Sequence, residues 1–274
     1  MKIAVIVASY NRESLLKRCI ESVLKQTYTN FDIYVVDDCS SVNIDAVWHY
    51  FSDQRLILSK MHQNSGANAV RNHAIDQAIV KGCDYIFILD DDDFLAAPDV
   101  FEKIVFFAKS YQNFGWIVAN VKGFSKQLPQ QTVIQIAEPF DYISDYLMGK
   151  KIQGDKSHFI SSKLIENIRF STLVRNGEEW TFFIEIASKT LCLACPILVK
   201  IVDYQDDGLS QVLKKSKNSS LGKIWLDTIK PIKSWFYRPL LRRACTRSLK
   251  GVVRLPVRIF LLAWYQLWSL WRIQ

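Results

Sequence analysis

The chain predicts an α/β fold with a mostly parallel central sheet, helices on both faces of that sheet, and a C-terminal basic amphipathic helical region. Three observations predict it. β-branched runs alternate with stretches of helical periodicity from the N-terminus onward, three of the first four runs end in polar residues, and the net positive charge gathers beyond residue 208. Short strand–helix alternation is the pattern of a parallel sheet covered on both sides.

In chain order, Ile3 to Ala8 is an unbroken apolar run that suits a buried strand, and Ser9 to Arg12 turns the chain. From Glu13 to Gln26, Leu15, Leu16, Cys19, Ile20, Val23 and Leu24 recur at spacings of three and four, which places them on one helical face. Phe31 to Val36 is a second strand, ending at Asp37 and Asp38; Leu56 to Ser59 is a short third. Ala67 to Lys81 reads as a helix stopped by Gly82. Tyr85 to Leu89 is a fourth strand that runs straight into Asp90, Asp91, Asp92 and Asp93. Beyond Pro98 the pattern weakens. Val100 to Tyr111 reads as helix, Trp116 to Gly123 as strand, Lys122 to Pro139 as polar, turn-rich chain, and Glu178 to Lys189 as a helix with Phe182, Phe183, Ile186 and Ala187 on its apolar period.

In a parallel sheet, ligands sit at the carboxyl ends of the strands. Ser9 to Arg12, Asp37 with Asp38, and Asp90 to Asp93 all stand at such ends, so they are expected to converge on one crevice.

A chain of 274 residues, 49% of them hydrophobic, can bury a core of generous size. Its formal charge of +8 conceals a split. From Leu209 to Gln274, 14 Lys or Arg face a single acid, Asp227, a net of +13, which leaves residues 1–208 at −5. We therefore expect a globular domain over 1–208 and a separate region over 209–274. Five of the eight tryptophans lie in that region, three of them in the apolar run Ile259 to Trp271. The run has thirteen residues, short of the ~20 that span a bilayer. Basic residues interleaved with Trp, Leu and Phe suit the headgroup boundary, where each Lys or Arg adds about 1 kcal/mol on an anionic surface. Nucleic acid is the weaker match because it needs no such aliphatic bulk, and Ile224 to Trp235 also suits a helix packed on the body. The N-terminal MKIAVIVASYNR reads as a first strand, not a signal peptide. A cytoplasmic chain held peripherally on the inner face of the cell membrane is the expectation.

Several chemistries find no support. The six cysteines show no repeated spacing, and the Cys192/Cys195 CxxC lacks a second ligand pair, so buried thiols are expected there. GxGxxG, GxxxxGK[ST] and HExxH are all missing. His49, His62, His73 and His158 show no ligand spacing and read as surface or core histidines.

The four aspartates remain. A solvated acidic turn is their plain reading, but Phe87-Ile88-Leu89 before and Phe94-Leu95 after anchor them in apolar structure. Adjacent carboxylates in a partly buried site ionise only at a cost that a cation offsets. Mg²⁺ or Mn²⁺ takes hard oxygen ligands and keeps water and phosphate oxygens in its remaining positions, so a metal-diphosphate suits the site.

Five blocks in order, VIVASYNR (5–12), VVDDCS (35–40), QNSGANAVRNHAI (63–75), FILDDDDF (87–94) and NGEEW (176–180), resemble the inverting family 2 glycosyltransferases of the GT-A fold, of the kind that build bacterial cell-surface polysaccharide or lipopolysaccharide. The resemblance covers roughly the first 190 residues. It implies that Ala8, Tyr10, Arg12 and Asp38 line the pocket for base and ribose, with Asp38 accepting from the base. Gly66 and Arg71 would lie near the nucleotide and its phosphates, a role that suits a forked guanidinium; a helix-surface charge is the other reading of Arg71. Asp92 would be the principal metal ligand, with Asp90 and Asp91 at ribose or supporting positions.

The catalytic base falls by position on Glu179, where the family commonly has aspartate. On local grounds Glu178 and Glu179 read equally as acids favoured at a helix N-terminus. Trp180 suits either a stacked sugar or the core. The resemblance implies transfer of one sugar from a nucleotide-sugar, most readily a UDP-sugar, to a hydroxyl of a lipid-linked glycan. A metal-dependent nucleotidyltransferase and a non-catalytic nucleotide-sugar-binding protein are the rival readings.

Overall fold

In a computed structural model of the chain, the described residues are 1–41, 44–124, 131–147, 149–172 and 179–205, all within one unit, Met1–Lys217. The basic region 209–274 and the membrane role expected of it lie outside them. The elements run β1 (Ile3–Ser9), α1 (Glu13–Leu24), β2 (Phe31–Asp37), α2 (Asp45–Tyr50), β3 (Leu56–Lys60), α3 (Ala67–Val80), β4 (Tyr85–Ile88), β5 (Phe94–Leu95), α4 (Val100–Ser110), β6 (Trp116–Gly123), β7 (Pro139–Phe140), β8 (Ser157–Ser161), α5 (Trp180–Ala187) and β9 (Cys192–Val202).

Among the described residues nine strands share one sheet in the order β3-β2-β1-β4-β8-β6-β9-β5, with β7 also on β9. The β3-β2-β1-β4 half is wholly parallel. Beyond it β8 runs antiparallel to both β4 and β6, while β9 is parallel to β6. The ends of β1, β2, β4 and β9 and the start of β8 therefore reach the same edge of the sheet, which is where the polar residues stand.

Burial explains the helix placement. In β1, Ile3 through Val7 are fully buried, so both faces of that strand are covered. Ile3, Val5 and Val7 join one cluster with Leu16, Ile20 and Val23 of α1 and with Phe101 and Ile104 of α4. Ala4 and Ile6 point the opposite way, and α3 packs on β1 and β2 with Val70, Ala74, Ile75 and Ala78 buried. A stacked Phe87–Phe159 pair, with ring centroids 4.4 Å apart, ties the parallel half to β8.

The expected elements through Gly123 are present, with ends moved by one or two residues: α1 stops at Leu24, and β4 stops at Ile88 because the chain turns at the aspartates. The helix expected over 178–189 is α5, and Glu178 lies outside the described residues. The short α2, β5, β7 and β8 and the eleven-residue β9 carried no readable signal. In β9, Pro196 interrupts the apolar run at a bulge, where the register to β6 shifts beside Asn120. Asn120 fastens the bulge, donating to the carbonyls of Ile134 (2.9 Å) and Pro196 (3.1 Å). Cys192 and Cys195 are fully buried, as thiols in packed structure should be. No helix among the described residues is long and apolar enough to cross a membrane.

Candidate active site

The loops after β1 and β2 are stitched together first. Asn11 and Cys39 both hold left-handed backbone (φ 56° and 60°), which brings the two turns face to face. The Asn11 amide donates to Ser40 Oγ (2.8 Å), and Asn11 Oδ1 accepts from the Ser41 amide (2.9 Å). Asp37, fully buried, accepts from the Ser40 amide and hydroxyl and so anchors this turn. Asp38 accepts from the amides of Ser65 (2.6 Å) and Gly66 (2.8 Å), which ties the second strand's end to the start of α3. Gly66 adopts φ 89°, ψ 156°, a region open essentially to glycine alone.

Three cations, Arg12, Arg71 and Lys200, divide the four aspartates among them. Asp91 accepts from Ser9 Oγ (2.9 Å) and from Arg12 Nη1 (3.2 Å). Asp92 accepts from the same Nη1 at 2.8 Å. Asp90 pairs with Arg71 Nη2 at 2.8 Å and keeps 46% of its side-chain surface exposed, the most open of the four. Asp93 is buried against Lys200 and takes the Asp203 amide at 3.2 Å, so it fastens the acidic loop to β9. Arg71, itself buried, spends its other terminal nitrogen on Glu179 Oε1 (3.0 Å), and its Nε is buried with no partner among the described residues. One guanidinium thus bridges the acidic loop to the acid at the head of α5.

Electrostatics separates the carboxylates. Burial raises Asp91, and its ion pair with Arg12 does not cancel the effect, so its pKa stands at about 6. Burial and repulsion from Asp90 and Asp91 push Asp92 to about 6 as well. Asp90 is desolvated too, but the charges of Arg71 and Lys200 outweigh that and hold it at about 2. Lys200 stays protonated against its own burial because Asp93 and Asp90 face it.

This donor set fits Mg²⁺ or Mn²⁺. It offers only hard carboxylate oxygens, and Asp91 and Asp92 remain hard to ionise even beside Arg12, a deficit that added positive charge relieves. Among the described residues no three acidic, His or Cys groups form a complete cage. One or two carboxylates, supplemented by phosphate oxygens of a ligand, is the arrangement Mg²⁺ ordinarily takes.

A cleft of about 770 Å³ holds these groups together, a volume that suits a nucleotide-sized ligand. Ala8, Tyr10, Arg12, Asp38, Gly66, Arg71, Asp90, Asp91, Asp92 and Glu179 all line it, so every site residue expected from sequence is brought to one place. Tyr10 is exposed at the rim. Sequence reading missed Lys200, Asp203 and His158, which also line the cleft. A lone lysine inside the apolar stretch that forms β9 was the available signal for Lys200, since a charge there needs a buried partner. Trp180 begins α5 but does not line the cleft.

The model for glycosyl transferase family 2 matches residues 4–168, more than half of the chain. The chain belongs to this family. It is 36% identical over 112 residues to the Escherichia coli UDP-Glc:alpha-D-GlcNAc-diphosphoundecaprenol beta-1,3-glucosyltransferase WfgD, a match covering 41% of this chain and 43% of WfgD. The chain spans less than two thirds of the length of several curated relatives, WfgD among them. S. aureus TarS 1-349, solved in complex with UDP-GlcNAc, superposes with a TM-score of 0.73 at 18% identity, over 91% of this chain and 72% of TarS. The mannosyltransferase PcManGT from Pyrobaculum calidifontis, solved with GDP-Man and Mn²⁺, superposes with a TM-score of 0.59 at 17% identity, over 97% and 79%. The fold is GT-A, as the five sequence blocks implied.

Proposed function

We propose that this family 2 protein transfers a single sugar, with inversion, from a UDP-sugar to a hydroxyl of a lipid-linked glycan acceptor in cell-surface polysaccharide synthesis. One observation carries the reading: Arg71 spans an acidic cluster suited to a metal-diphosphate and a separate carboxylate, Glu179, within the same cleft. Leaving-group stabilisation and proton removal are the two tasks an inverting displacement needs, and they fall to these two groups.

In this reading, Ala8, Tyr10, Arg12, Asp38 and Gly66 hold the nucleoside, and Asp90, Asp91 and Arg71 sit by the ribose and diphosphate. Asp92 is the principal ligand of Mn²⁺ or Mg²⁺, whose chemistry when bound is to neutralise charge on the departing diphosphate. Glu179 takes the proton from the attacking hydroxyl. Arg71 fixes its Oε1, which leaves the base role to Oε2. The UDP-Glc and UDP-GlcNAc in the names of WfgD and of the TarS complex support a UDP-sugar donor, and the diphosphoundecaprenol in the former supports a lipid-linked acceptor. The Mn²⁺ of the PcManGT complex supports the metal. The basic, aromatic region 209–274 would hold the chain to the inner membrane surface beside that acceptor.

The test is to incubate the full chain with Mn²⁺ or Mg²⁺, a panel of nucleotide-sugars and a synthetic N-acetylglucosaminyl diphospho-lipid. Release of nucleoside diphosphate with glycosylated lipid supports the proposal. Release of pyrophosphate would make the chain a nucleotidyltransferase, and binding without release would make it a binding protein. Glu179→Gln should lower kcat by about 10²- to 10⁴-fold with donor affinity intact. Unchanged turnover would remove Glu179 from the base role.

A further inference from the structure

His158, the second residue of β8, stands at the edge where the strand ends gather, opposite Val118 of β6, and lines the cleft together with Glu179, Lys200 and Asp90. Its ring sits in an aromatic column. Phe183 stacks on it at 4.3 Å between centroids, Tyr146 lies nearly parallel to it at 6.1 Å, and the fully buried Trp116 packs alongside at 5.9 Å. These rings, with the hydrogen bond from Trp116, hold the ring's orientation.

Its tautomer is set as well. Trp116 Nε1 lies 3.1 Å from His158 Nδ1, and an indole nitrogen can only donate. Nδ1 must therefore be the unprotonated acceptor, which places the ring proton on Nε2. Burial, together with the charges of Lys200 and Lys156, brings the His158 pKa down to about 3, so the ring is neutral throughout the physiological range. Nε2 has no hydrogen-bond partner among the described residues, yet it is not among the buried unsatisfied atoms and so keeps contact with solvent at the cleft wall.

The geometry points to a specificity-determining role for His158: its Nε2–H donates to a sugar hydroxyl bound in the cleft. A neutral donor fixed in direction by stacking and by an indole suits an alcohol oxygen. A phosphate would draw more from the nearby Lys200 and Arg71, which are charged. The inference rests on the transferase reading and adds to it a wall that recognises the sugar. Two sources supply such a hydroxyl, the donor's sugar and the acceptor's.

The test uses the full chain labelled with ¹⁵N at histidine, with His158 assigned by its loss in His158→Gln. Ligand-free protein should show His158 as the neutral Nε2–H tautomer; the Nδ1–H tautomer would overturn the inference. Calorimetry then establishes binding of UDP, UDP-glucose, UDP-N-acetylglucosamine, and UDP with a short-chain N-acetylglucosaminyl diphospho-lipid. UDP alone should leave the Nε2 resonance in place. A shift with a UDP-sugar assigns the hydroxyl to the donor, and a shift only with the lipid assigns it to the acceptor. Binding of all four with Nε2 silent overturns the inference and leaves the transferase reading standing. Failure of every ligand to bind sinks that reading and the inference with it. In turnover, His158→Phe, which keeps a ring in the column but no donor, should lose about 10- to 100-fold in kcat/KM, carried in KM for whichever substrate shifts Nε2. His158→Gln, which extends an amide donor toward the same point, should recover part of the loss.

Discussion

Asp91 and Asp92 are held near pKa 6 by burial, against an ordinary value of 3.8, and this has a consequence for the whole chain. A folded-state pKa raised above the unfolded one means the folded chain holds more protons between about pH 4 and pH 6, so these two residues subtract stability as pH rises through that window. Asp90, held at about 2, has the opposite sign: its contribution is present above its ordinary pKa and is lost as pH falls toward 2. A divalent cation binds the ionised carboxylates, so its stabilising effect should grow over the window set by Asp91 and Asp92. The rise in melting temperature caused by Mn²⁺ should be clearly larger at about pH 7.5 than at about pH 5. Equal shifts would mean that neither residue meets the cation. At this scale the site was largely legible, because charged and polar residues directly after apolar runs are visible in sequence. What could not be read was the sorting of the aspartates. Asp93 is set apart from Asp92 by Lys200, 107 positions away, and by the Asp203 amide, while Asp92 pairs with Arg12.

β9 is the element that sorts them. It brings Lys200 to Asp93 and the Asp203 amide to the same carboxylate, and so sets the position of the acidic loop from the far side of the sheet. Lys200 and Asp93 are both almost fully buried, and removing one partner strands the other charge. Lys200→Met should cost about 3–5 kcal/mol of stability in chemical denaturation. Adding Asp93→Leu to it should restore most of the loss, since replacing both members of a buried pair by apolar groups is often neutral. A single variant as stable as the wild type would show that the pair does not hold the loop. Apart from the short α2 and β5, the strands and helices up to Gly123 were readable because each is a contiguous run with its own period. In the second half α5 alone was readable; the strands were not, because β7 and β8 are short, β9 is broken by Pro196, and their pairings join segments tens of residues apart. The period of a run says nothing of its partner.

For the molecule as a whole, the division of charge gives the next expectation. With residues 1–208 at net −5 and residues 209–274 at net +13, the chain should bind anionic vesicles through the latter alone. The full chain should sediment with vesicles containing phosphatidylglycerol, should not do so with phosphatidylcholine alone, and should lose that binding as salt is raised. Equal binding to both vesicles, or to neither, would refute it. Within the body, the folding of the sheet gathers six acidic side chains, Asp90 to Asp93, Glu179 and Asp203, around Arg12, Arg71, Lys200 and Arg18. The negative excess is what a cation shared with a diphosphate would balance. Calorimetric titration of UDP into the full chain, with and without Mn²⁺, measures that sharing directly. The account predicts tighter UDP binding with Mn²⁺ present, by about 5- to 150-fold, and loss of this enhancement in Asp92→Asn. UDP affinity that is the same with and without the ion would contradict it.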